Sequence, residues 1–422
     1  MRILFLSNVF PNPLQPAKGT FNQSLVAALS QEHDVQVVSP ISWIDEISSR
    51  IKNKQKIDRS VVTRVAGAKT DYPRFYYPPK IMRHRFGQFL WMSIQRSLQK
   101  KMRMFHPDVI LSYWAHPDGE VAVKLAQQEG IPAVTMVGGS DVLLLARKGK
   151  RRKAIMNVLE QSDAIISVNQ SIAEQIKQDG IDSAKLHVVH RGVDCKLFSK
   201  GDRNEARQKL KLPSNQTILV AAGRLVDVKG HQILISACQQ LAQQGRPFQC
   251  HILGTGPLQK KLQEQIDMSG LQAIVHLAGA QTQEQLANWY RAADLMVHPS
   301  FSEGIPNVLL EAMSCGARFV ASDVGGIPEI ADANFDQLVP PHNAMQLAEG
   351  ISQQLKKITE TTSTETTLSE RTFWPLSWGN SARDVTSILL KTIQQKQCKT
   401  KTGTLNALQG MLDPPSLKEI SL

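Results

Sequence analysis

Short apolar runs recur along this chain, and each is followed by a segment with a helical pattern. The runs are continuous rather than alternating, which is typical of strands buried on both faces of a parallel sheet. Because strands and helices take turns along the chain, the sequence predicts an α/β fold with two doubly wound sheets. The predicted strands cover residues 3–9, 35–40, 108–114, 133–138, 164–169 and 186–190 in the first half, and 217–223, 248–254, 274–279, 294–300 and 318–323 in the second.

The boundary between the two sheets is predicted near residues 191–202, RGVDCKLFSKGD, where the apolar pattern stops and a charged helical segment follows. A chain of 422 residues is long enough for two domains of ordinary size. We therefore predict Rossmann-like domains over residues 1–194 and 195–375, facing each other across a cleft. Residues 396–422 are polar and include a Pro-Pro pair, which predicts a flexible tail.

Composition argues against an integral membrane protein and against a metal-cluster protein. No stretch approaches the roughly 20 apolar residues needed to span a bilayer. The apolar N-terminus, MRILFLSNVF, is too short for a secretory signal and is better explained as the first buried strand. The cysteines are scattered without metal-ligand spacing, so we expect a reduced, cytoplasmic protein.

The segment EGIPNVLLE, residues 303–311, carries the strongest signal for a binding site. It follows an apolar strand, and Pro306 can occupy the first turn of the helix because it needs no N–H donor there. The free N–H groups at such a helix start bind anions, while Glu311 can accept hydrogen bonds from ribose hydroxyls. This pattern indicates a pocket for a nucleoside diphosphate attached to a polar group. The alternative is an ordinary strand–loop–helix unit with Glu303 and Glu311 on its surface.

Three further loops follow predicted strands of the second half, at the strand ends where parallel sheets bind ligands. GRLVDVKG places Arg224 and Lys229 beside a helix opening, where two cations could clamp a diphosphate leaving group without a metal. A solvated basic loop is the alternative. LGTGP places Gly254 where backbone can approach a ligand closely, and SDVGGIPEI offers exposed N–H groups. Simple turns would look the same.

The first half offers weaker candidates at its own strand ends. The loop before the first helix contains Gly19, which could approach a phosphate or a sugar, although the loop lacks the GxGxxG dinucleotide fingerprint. His116 follows a strand end, where a structural role is the commoner explanation for a single histidine. Asp141 lies near a helix start, where capping of the helix is the default role.

Together these segments resemble the retaining glycosyltransferases of family 4, the large group 1 class with the GT-B fold. The resemblance covers about residues 1–395, and its most specific parts are EGIPNVLLE, the Glu-x7-Glu signature, and GRLVDVKG. The segments GTF, GGSDV, RGVD, LGTGP, HPSFSEG and GGIPE support it. Residues 376–395 look like the closing helix of that family, which crosses back onto the first domain. The N-terminal loop and the lysine-rich middle are similar to bacterial exopolysaccharide and teichuronic-acid transferases.

The resemblance implies a role for each candidate residue. Arg224 and Lys229 would bind the diphosphate of a sugar nucleotide, which is UDP- or GDP-linked. Glu311 would bind the ribose, Glu303 would contact hydroxyls of the donor sugar, and His116 would stand near that sugar at the reacting face. The other implied contacts are the backbone around Gly304, Ile305, Pro306 and Asn307 on sugar and phosphate, Gly19 and Gly254 on the donor side, and Asp141 on the acceptor side.

A retaining transfer of this kind is expected to proceed without an obvious enzymatic nucleophile. Cations would stabilise the departing diphosphate, and a phosphate oxygen would take the proton of the acceptor. No Asp-x-Asp metal seat is apparent, so we expect no metal and no cofactor. The chain departs from the family at Arg191, where Asn is usual before Gly-Val-Asp, and at ANFDQLVPP after GGIPE.

The net charge of +12 lies entirely in the first 200 residues, which suggests an anionic partner on that half. Residues 80–106 and 143–156 combine many cations with apolar residues, and basic amphipathic helices of this type can lie on anionic membranes. We therefore expect a glycan or a lipid-linked glycan as acceptor, and a location in the cytoplasm or peripherally on the inner face of the plasma membrane. A normally packed helix with a solvated basic face is the alternative.

Other classes of function stay open at this point. A strongly basic protein could bind nucleic acid, but no RNA- or DNA-binding motif is present, and the cations cluster on helices rather than on a stacking sheet. We therefore expect no nucleic-acid partner. A sugar-nucleotide epimerase can share the two-domain architecture and would release a free epimerised product without consuming an acceptor. A catalytically silent sugar-nucleotide sensor is a third alternative.

Overall fold

The computed structural model describes residues 1–53, 57, 63–143, 149–245, 247–363 and 375–412, and most of its strands belong to two large sheets. The strands are β1 (Arg2–Leu6), β2 (Asp34–Val38), β3 (Ile41–Ser42), β4 (Thr63–Val65), β5 (Ala68–Asp71), β6 (Arg74–Phe75), β7 (Val109–Tyr113), β8 (Ala133–Val137), β9 (Ala164–Ser167), β10 (Leu186–Val188), β11 (Thr217–Ala222), β12 (Phe248–Leu253), β13 (Val275–Gly279), β14 (Leu295–His298), β15 (Phe319–Ser322) and β16 (Gln337–Val339). The helices are α1 (Thr20–Leu29), α2 (Trp43–Asn53), α3 (Phe86–Phe105), α4 (Glu120–Glu129), α5 (Ser140–Leu143), α6 (Gly149–Gln161), α7 (Gln170–Gln178), α8 (Arg203–Leu210), α9 (His231–Gln243), α10 (Gln259–Met268), α11 (Gln283–Ala292), α12 (Asn307–Ser314), α13 (Ala344–Ser363) and α14 (Trp378–Leu412).

The first sheet has eight strands in the order β10-β9-β8-β7-β1-β2-β5-β4. Its neighbouring strands are parallel, except that β4 pairs antiparallel with β5 at one edge. In the centre, every residue of β7 and β8 is buried. Ile3 and Phe5 of β1 enter the core on one face, and Leu4 and Leu6 enter it on the other. Burial on both faces is why these strands are continuous apolar runs.

The second sheet has six strands in the order β13-β12-β11-β14-β15-β16, and all of its pairs are parallel. Its central strand β11 is also buried on both faces, with Ile218 and Val220 in one core and Leu219 and Ala221 in the other. The two sheets lie on either side of residues 191–202. Both halves are Rossmann-like α/β domains with helices on the two faces of a parallel sheet, as the sequence predicts.

Two stretches of chain connect the domains, and they run side by side. The first contains residues 191–202, and the second contains residues 375–377, which lead into α14. The backbone N–H of Val193 donates to the carbonyl of Leu376 over 2.8 Å, and Val193 and Ser377 form a short parallel bridge. The two crossings are therefore joined into a single paired connection.

Helix α14 returns to the first domain and completes its core. Val385 and Leu389 are fully buried there, and the Lys396 ammonium pairs with Asp163 over 2.9 Å. We predicted a helix over residues 376–395 followed by a flexible tail, and the start of that tail needs correction. The helix continues to Leu412 because no proline interrupts this polar segment before residue 414. The rest of the predicted tail, residues 413–422, lies outside the described residues.

Helix α3 contains the basic segment that we predicted to lie on a membrane. Its apolar residues Leu90, Trp91, Ile94 and Leu98 are buried in the core of the first domain. The apolar side of the helix therefore packs on the sheet, which is the alternative that the sequence left open. Part of the second basic segment, residues 144–148, lies outside the described residues. No helix in the described part of the chain is long and apolar enough to cross a membrane.

Candidate functional site

The predicted site residues lie at the carboxyl ends of strands in both domains. In the second sheet, β11, β14 and β15 are consecutive neighbours, so the loops that follow them lie side by side. In the first sheet, β8, β7 and β1 place their loops together in the same way. Gly304 meets Gly138 between the two sets of loops, where a Cβ on Gly304 would stand only 2.6 Å from the Gly138 carbonyl oxygen. The two domains therefore touch at the edge that carries the candidate residues.

Glu303 is the centre of a polar cluster in the loop after β14. The Lys229 ammonium forms an ion pair with its Oε1. The same oxygen lies 2.7 Å from Ser300 Oγ and 3.0 Å from His298 Nε2. No protein donor among the described residues reaches the other oxygen, Oε2. Glu303 is thus held by one oxygen, and its second oxygen can accept a further hydrogen bond.

The cluster keeps Glu303 ionised although its side chain is only 11% exposed. Burial alone would raise the pKa of Glu303, but the nearby Lys229 charge and the hydrogen bond from His298 hold that pKa well below its usual range. Burial lowers the pKa of His298, so its imidazole is neutral at neutral pH and can donate to the carboxylate. The cluster therefore presents a fixed negative acceptor beside a positive ammonium.

Arg224 and Lys229 lie on one loop but have different surroundings. The stem of Lys229 passes over Gly223, and its ammonium is committed to Glu303. The Arg224 side chain is exposed and makes no hydrogen bond or ion pair within the described ranges. Gly254 has φ 135°, and a side chain there would collide with the backbone of Gly223, so close backbone contact holds the two loops together. Among the described residues, Arg224 is therefore a free cation of this loop, whereas Lys229 is shared with Glu303.

Glu311 lies on α12, the helix that follows Glu303. Tyr290 donates its hydroxyl to Glu311 Oε2 over 3.2 Å, and no donor in the described part of the protein reaches Oε1. Burial raises the pKa of Glu311 to about 7. Because Oε1 is unoccupied, the carboxylate can accept a further hydrogen bond from a ligand, as the ribose prediction requires.

The start of α12 leaves backbone donors available. We predicted that Pro306 occupies the first turn of this helix. In the structure the helix begins at Asn307, and Pro306 is the residue before it. Within the described ranges, the N–H groups of Gly304, Ile305, Asn307 and Val308 donate to no protein acceptor. The Ile305 side chain is buried in the core, so only its backbone can contact a ligand. This helix start can therefore bind an anion through its N–H groups.

The first-domain candidates are mostly enclosed. His116 is buried, and its Nε2 lies 3.3 Å from Glu120 Oε2 and 3.4 Å from the backbone N–H of Gly87. Asp141 is fully buried and accepts hydrogen bonds from the backbone of Ala115 and of the Gly138-Gly139 loop. Burial raises the pKa of Asp141. Neither side chain contacts the Glu303 cluster, so their roles near the sugar and the acceptor stay predictions.

Gly19 occupies the left-handed region, with φ 66°, immediately before α1. A Cβ at this position would overlap the carbonyl of Val9, so the tight turn into the helix requires glycine. The turn leaves the start of α1 without a side-chain cap. A helix start without a side-chain cap is compatible with Gly19 on the phosphate side of the donor, and this position of Gly19 stays a prediction.

Sequence reasoning missed the partners of the two glutamates and a contact between the domains. His298 and Ser300 lie five and three residues before Glu303 in the segment HPSFSEG, so their position at the same strand end was an available signal. Tyr290 comes from a neighbouring helix and has no signal of this kind. Glu329, in GGIPE, accepts hydrogen bonds of 2.8 Å from the N–H groups of Gln170 and Ser171 at the start of α7 in the other domain.

Models of one family match both halves of the chain. The model described as Glycosyltransferase Family 4 matches residues 19–197, and the model described as Glycosyl transferases group 1 matches residues 202–365. The gap between the two matches falls at the first connection between the domains.

Individual relatives agree with the family models. TuaC of Bacillus subtilis, named for teichuronic acid biosynthesis, is 27% identical over 84% of this chain and 89% of its own length. WcaL of Escherichia coli K12, named for colanic acid biosynthesis, is 28% identical over 59% of this chain and 61% of its own length. The structure of HepE from Anabaena in complex with UDP superimposes with a TM-score of 0.66 at 19% identity, covering 95% of this chain and all of that one. This last likeness establishes the two-domain fold.

Proposed function

The chain belongs to glycosyltransferase family 4, also called group 1, and on that basis we propose that it is a retaining enzyme that transfers a sugar from a nucleoside diphosphate sugar to a glycan acceptor. The proposed acceptor is a glycan or a lipid-linked glycan of a bacterial surface polysaccharide. TuaC and WcaL, which are named for two such polysaccharides, support this choice.

The observation that carries the proposal is the arrangement around Glu303. A carboxylate with one free oxygen and a lysine paired with it lie just before the open start of α12, and an exposed arginine belongs to the same loop as that lysine. The helix start and the cations suit a diphosphate, and Glu303 suits the hydroxyls of the attached sugar. Glu311 lies further along the same helix, where a ribose attached to that diphosphate would reach it.

The proposed transfer breaks the bond between the sugar C1 and the diphosphate oxygen. The acceptor hydroxyl oxygen forms its new bond to C1 on the same face, and its proton passes to an oxygen of the leaving diphosphate. Negative charge grows on that diphosphate in the transition state, where Arg224, Lys229 and the N–H groups of α12 stabilise it. We propose that these groups act without a metal or a cofactor.

We also propose peripheral contact with an anionic membrane on the cytoplasmic side. Because the apolar side of α3 is buried, this contact uses the outward side of the helix, where Arg96, Lys100 and Arg103 are exposed near Met92 and Met104.

Co-sedimentation with phosphatidylglycerol vesicles at low salt should recover the wild type. The Arg96→Glu/Arg103→Glu variant should stay in solution, whereas Lys260→Glu, which changes an exposed charge on the second domain, should behave as wild type. Equal recovery of all three proteins would remove the membrane proposal.

A panel of UDP, GDP and their sugar conjugates, assayed by thermal unfolding, tests the main proposal. One nucleotide series should raise the Tm by mass action, and Glu311→Ala should lose that increase. Lys260→Ala, which removes a charge that is 92% exposed, should retain it. A wild type that no nucleotide stabilises contradicts the proposal. With the donor identified, release of an epimerised sugar nucleotide without consumption of an acceptor would favour the epimerase instead.

A further inference from the structure

Arg191 lies on the first connection between the domains and contacts both of them. Its Cζ stands 4.2 Å from the centre of the Phe21 ring on α1. Nη2 donates to the Tyr113 hydroxyl over 2.6 Å, and Nη1 donates to Asn307 Oδ1 over 3.3 Å. Gly138 leaves the room for this arrangement, because a Cβ there would collide with the Tyr113 hydroxyl. A ring, a phenol and an amide therefore fix the plane of the guanidinium.

The charge of Arg191 has no counter-charge in the described part of the chain. Among the residues that the structure describes, no carboxylate lies within ion-pair distance of the Arg191 guanidinium, and its Nε–H group is buried without an acceptor. An arginine side chain is always ionised in proteins, so this positive charge is permanent. The guanidinium consequently has donors that the protein does not satisfy.

Two helix starts lie beside this guanidinium. Phe21 is the second residue of α1, and Asn307 is the first residue of α12. Neither helix has a side-chain cap or an acidic residue in its first turn. Helix starts carry partial positive charge, so three positive groups meet here, and no acidic side chain of the described residues is bonded to any of them. An anion between them would relieve the repulsion and accept the unused donors.

We propose that Arg191 is a third cation for the diphosphate of the sugar nucleotide, in addition to Arg224 and Lys229. This inference rests on the proposed function and adds to it a residue from the connection between the domains. Because Tyr113 belongs to one domain and Asn307 to the other, Arg191 has this geometry only when the domains are together. Binding of the diphosphate through Arg191 therefore favours the closed arrangement.

Calorimetric titration with inorganic pyrophosphate tests this role, because pyrophosphate carries the charged group without a base or a sugar. Arg191→Gln should weaken its binding about tenfold or more, since a charge-assisted hydrogen bond is lost. Arg191→Lys should retain part of the affinity because it keeps the charge. Lys196→Gln removes an exposed charge from the same connection and should bind as tightly as wild type.

A purely structural Arg191 gives a different pattern. It would only join Tyr113 to Asn307, so Arg191→Gln would lower the Tm of the unliganded protein and leave the Kd of the folded protein for pyrophosphate unchanged. That result overturns the inference. If Arg191→Gln does not fold, Phe21→Leu serves in its place: it keeps the charge but removes the ring beneath it. Weaker pyrophosphate binding by this variant supports the inference, and unchanged binding overturns it.

Further titrations separate this inference from the proposed function. Weaker binding by Arg224→Gln together with unchanged binding by Arg191→Gln shows that only the role of Arg191 is wrong. Failure of the wild type to bind pyrophosphate, UDP and GDP removes the proposed function itself. UDP or GDP should displace pyrophosphate, whereas farnesyl diphosphate, a short substitute for a lipid-linked acceptor, should not. Displacement by farnesyl diphosphate alone assigns Arg191 to the acceptor and overturns the inference.

Discussion

Glu303 shares one oxygen among an ammonium, an imidazole and a hydroxyl, and this sharing decides how the neighbouring cations can act. Lys229 is partly neutralised by the carboxylate, so it can position a sugar and a phosphate but does not offer its full charge to either. Arg224 has no such partner within the described residues. At the scale of single residues, the two cations of the loop therefore have different surroundings, and the proposed function gives them different tasks.

The first prediction concerns Arg224. Arg224→Ala should lower turnover on the order of 100-fold or more, because one donor that stabilises charge in the transition state is lost. Steady-state transfer kinetics with the donor found by the nucleotide panel measure this change. Lys260→Ala, which removes a cation that is 92% exposed, should leave turnover unchanged. Near wild-type turnover in Arg224→Ala would contradict the assignment of this residue to the leaving group.

The second prediction follows from the raised pKa of Glu311. In the folded protein this pKa is about 7, above the ordinary value of 4.5, so the folded state binds more protons than the unfolded state between those values. The resulting stabilisation is fully present below about pH 4.5 and is lost as the pH rises through about 7. Glu311→Gln should therefore become more stable relative to wild type across this window, by on the order of 1 to 3 kcal/mol.

Denaturant unfolding at about pH 5 and about pH 8 measures this difference between the two proteins. Glu349→Gln removes the carboxylate of an exposed glutamate on α13 and serves as the control for the loss of a negative charge. If Glu311→Gln shows no change with pH, the burial of Glu311 does not raise its pKa as described.

The sequence predicts some residues of the site better than others. Glu303, Glu311, Arg224 and Lys229 were found because their spacing after apolar strands places them at one sheet edge. The same reasoning singled out His116 but did not indicate that this side chain is buried beside Glu120 and Gly87. The depth at which a side chain is buried depends on the helices packed above it, and spacing in the sequence does not contain that information.

At the scale of elements, α14 shows how a polar helix can be essential to a core. Only a few of its residues are apolar and face inward. These residues pack beside α1 in the core of the first domain. Its length was underestimated because a polar composition resembles that of a flexible tail. Long polar helices are held by one narrow buried face rather than by their average composition.

The third prediction compares two adjacent leucines of α14. Leu389 is fully buried and Leu390 is 45% exposed. Leu389→Ala should lower the free energy of unfolding by about 2 to 5 kcal/mol, because it leaves a cavity in the first-domain core. Leu390→Ala should change it by less than about 0.5 kcal/mol. Denaturant titration followed by circular dichroism measures both, and equal effects would mean that α14 does not pack as described.

The strands missed by sequence analysis share a physical cause. β5 and β16 are short and lie at or next to sheet edges, and their sequences, AKTD and QLV, bury only part of their side chains. A strand with little buried surface leaves little apolar pattern. The central strands, by contrast, were predicted to within a few residues because both of their faces had to be apolar.

At the scale of the whole molecule, the contacts between the domains depend on how two separate units approach each other. Glu329 caps the start of α7 across the cleft, and Gly304 meets Gly138 by backbone contact. Each residue looks like an ordinary turn or loop residue in the sequence. Their function in joining the domains was therefore beyond what local patterns could indicate.

The fourth prediction tests that cap. Glu329→Ala removes two hydrogen bonds and a negative charge from the start of α7, which should weaken domain contact by about 1 kcal/mol. Small-angle scattering of the nucleotide-free variant should show a larger radius of gyration than wild type. Hydrogen exchange at Gln170 and Ser171 should also become faster. Glu349→Ala is the matched control, and a scattering curve identical to that of wild type would show that Glu329 does not hold the domains together.

The paired connection at Val193 and Leu376 has a mechanical consequence. A single linker lets two domains rotate freely about it. Two linkers that are hydrogen-bonded to each other, as here, permit bending about one axis and resist torsion. An opening and closing motion of the two domains would then follow nearly the same arc each time. Loops that separate after one turnover would meet again in register for the next.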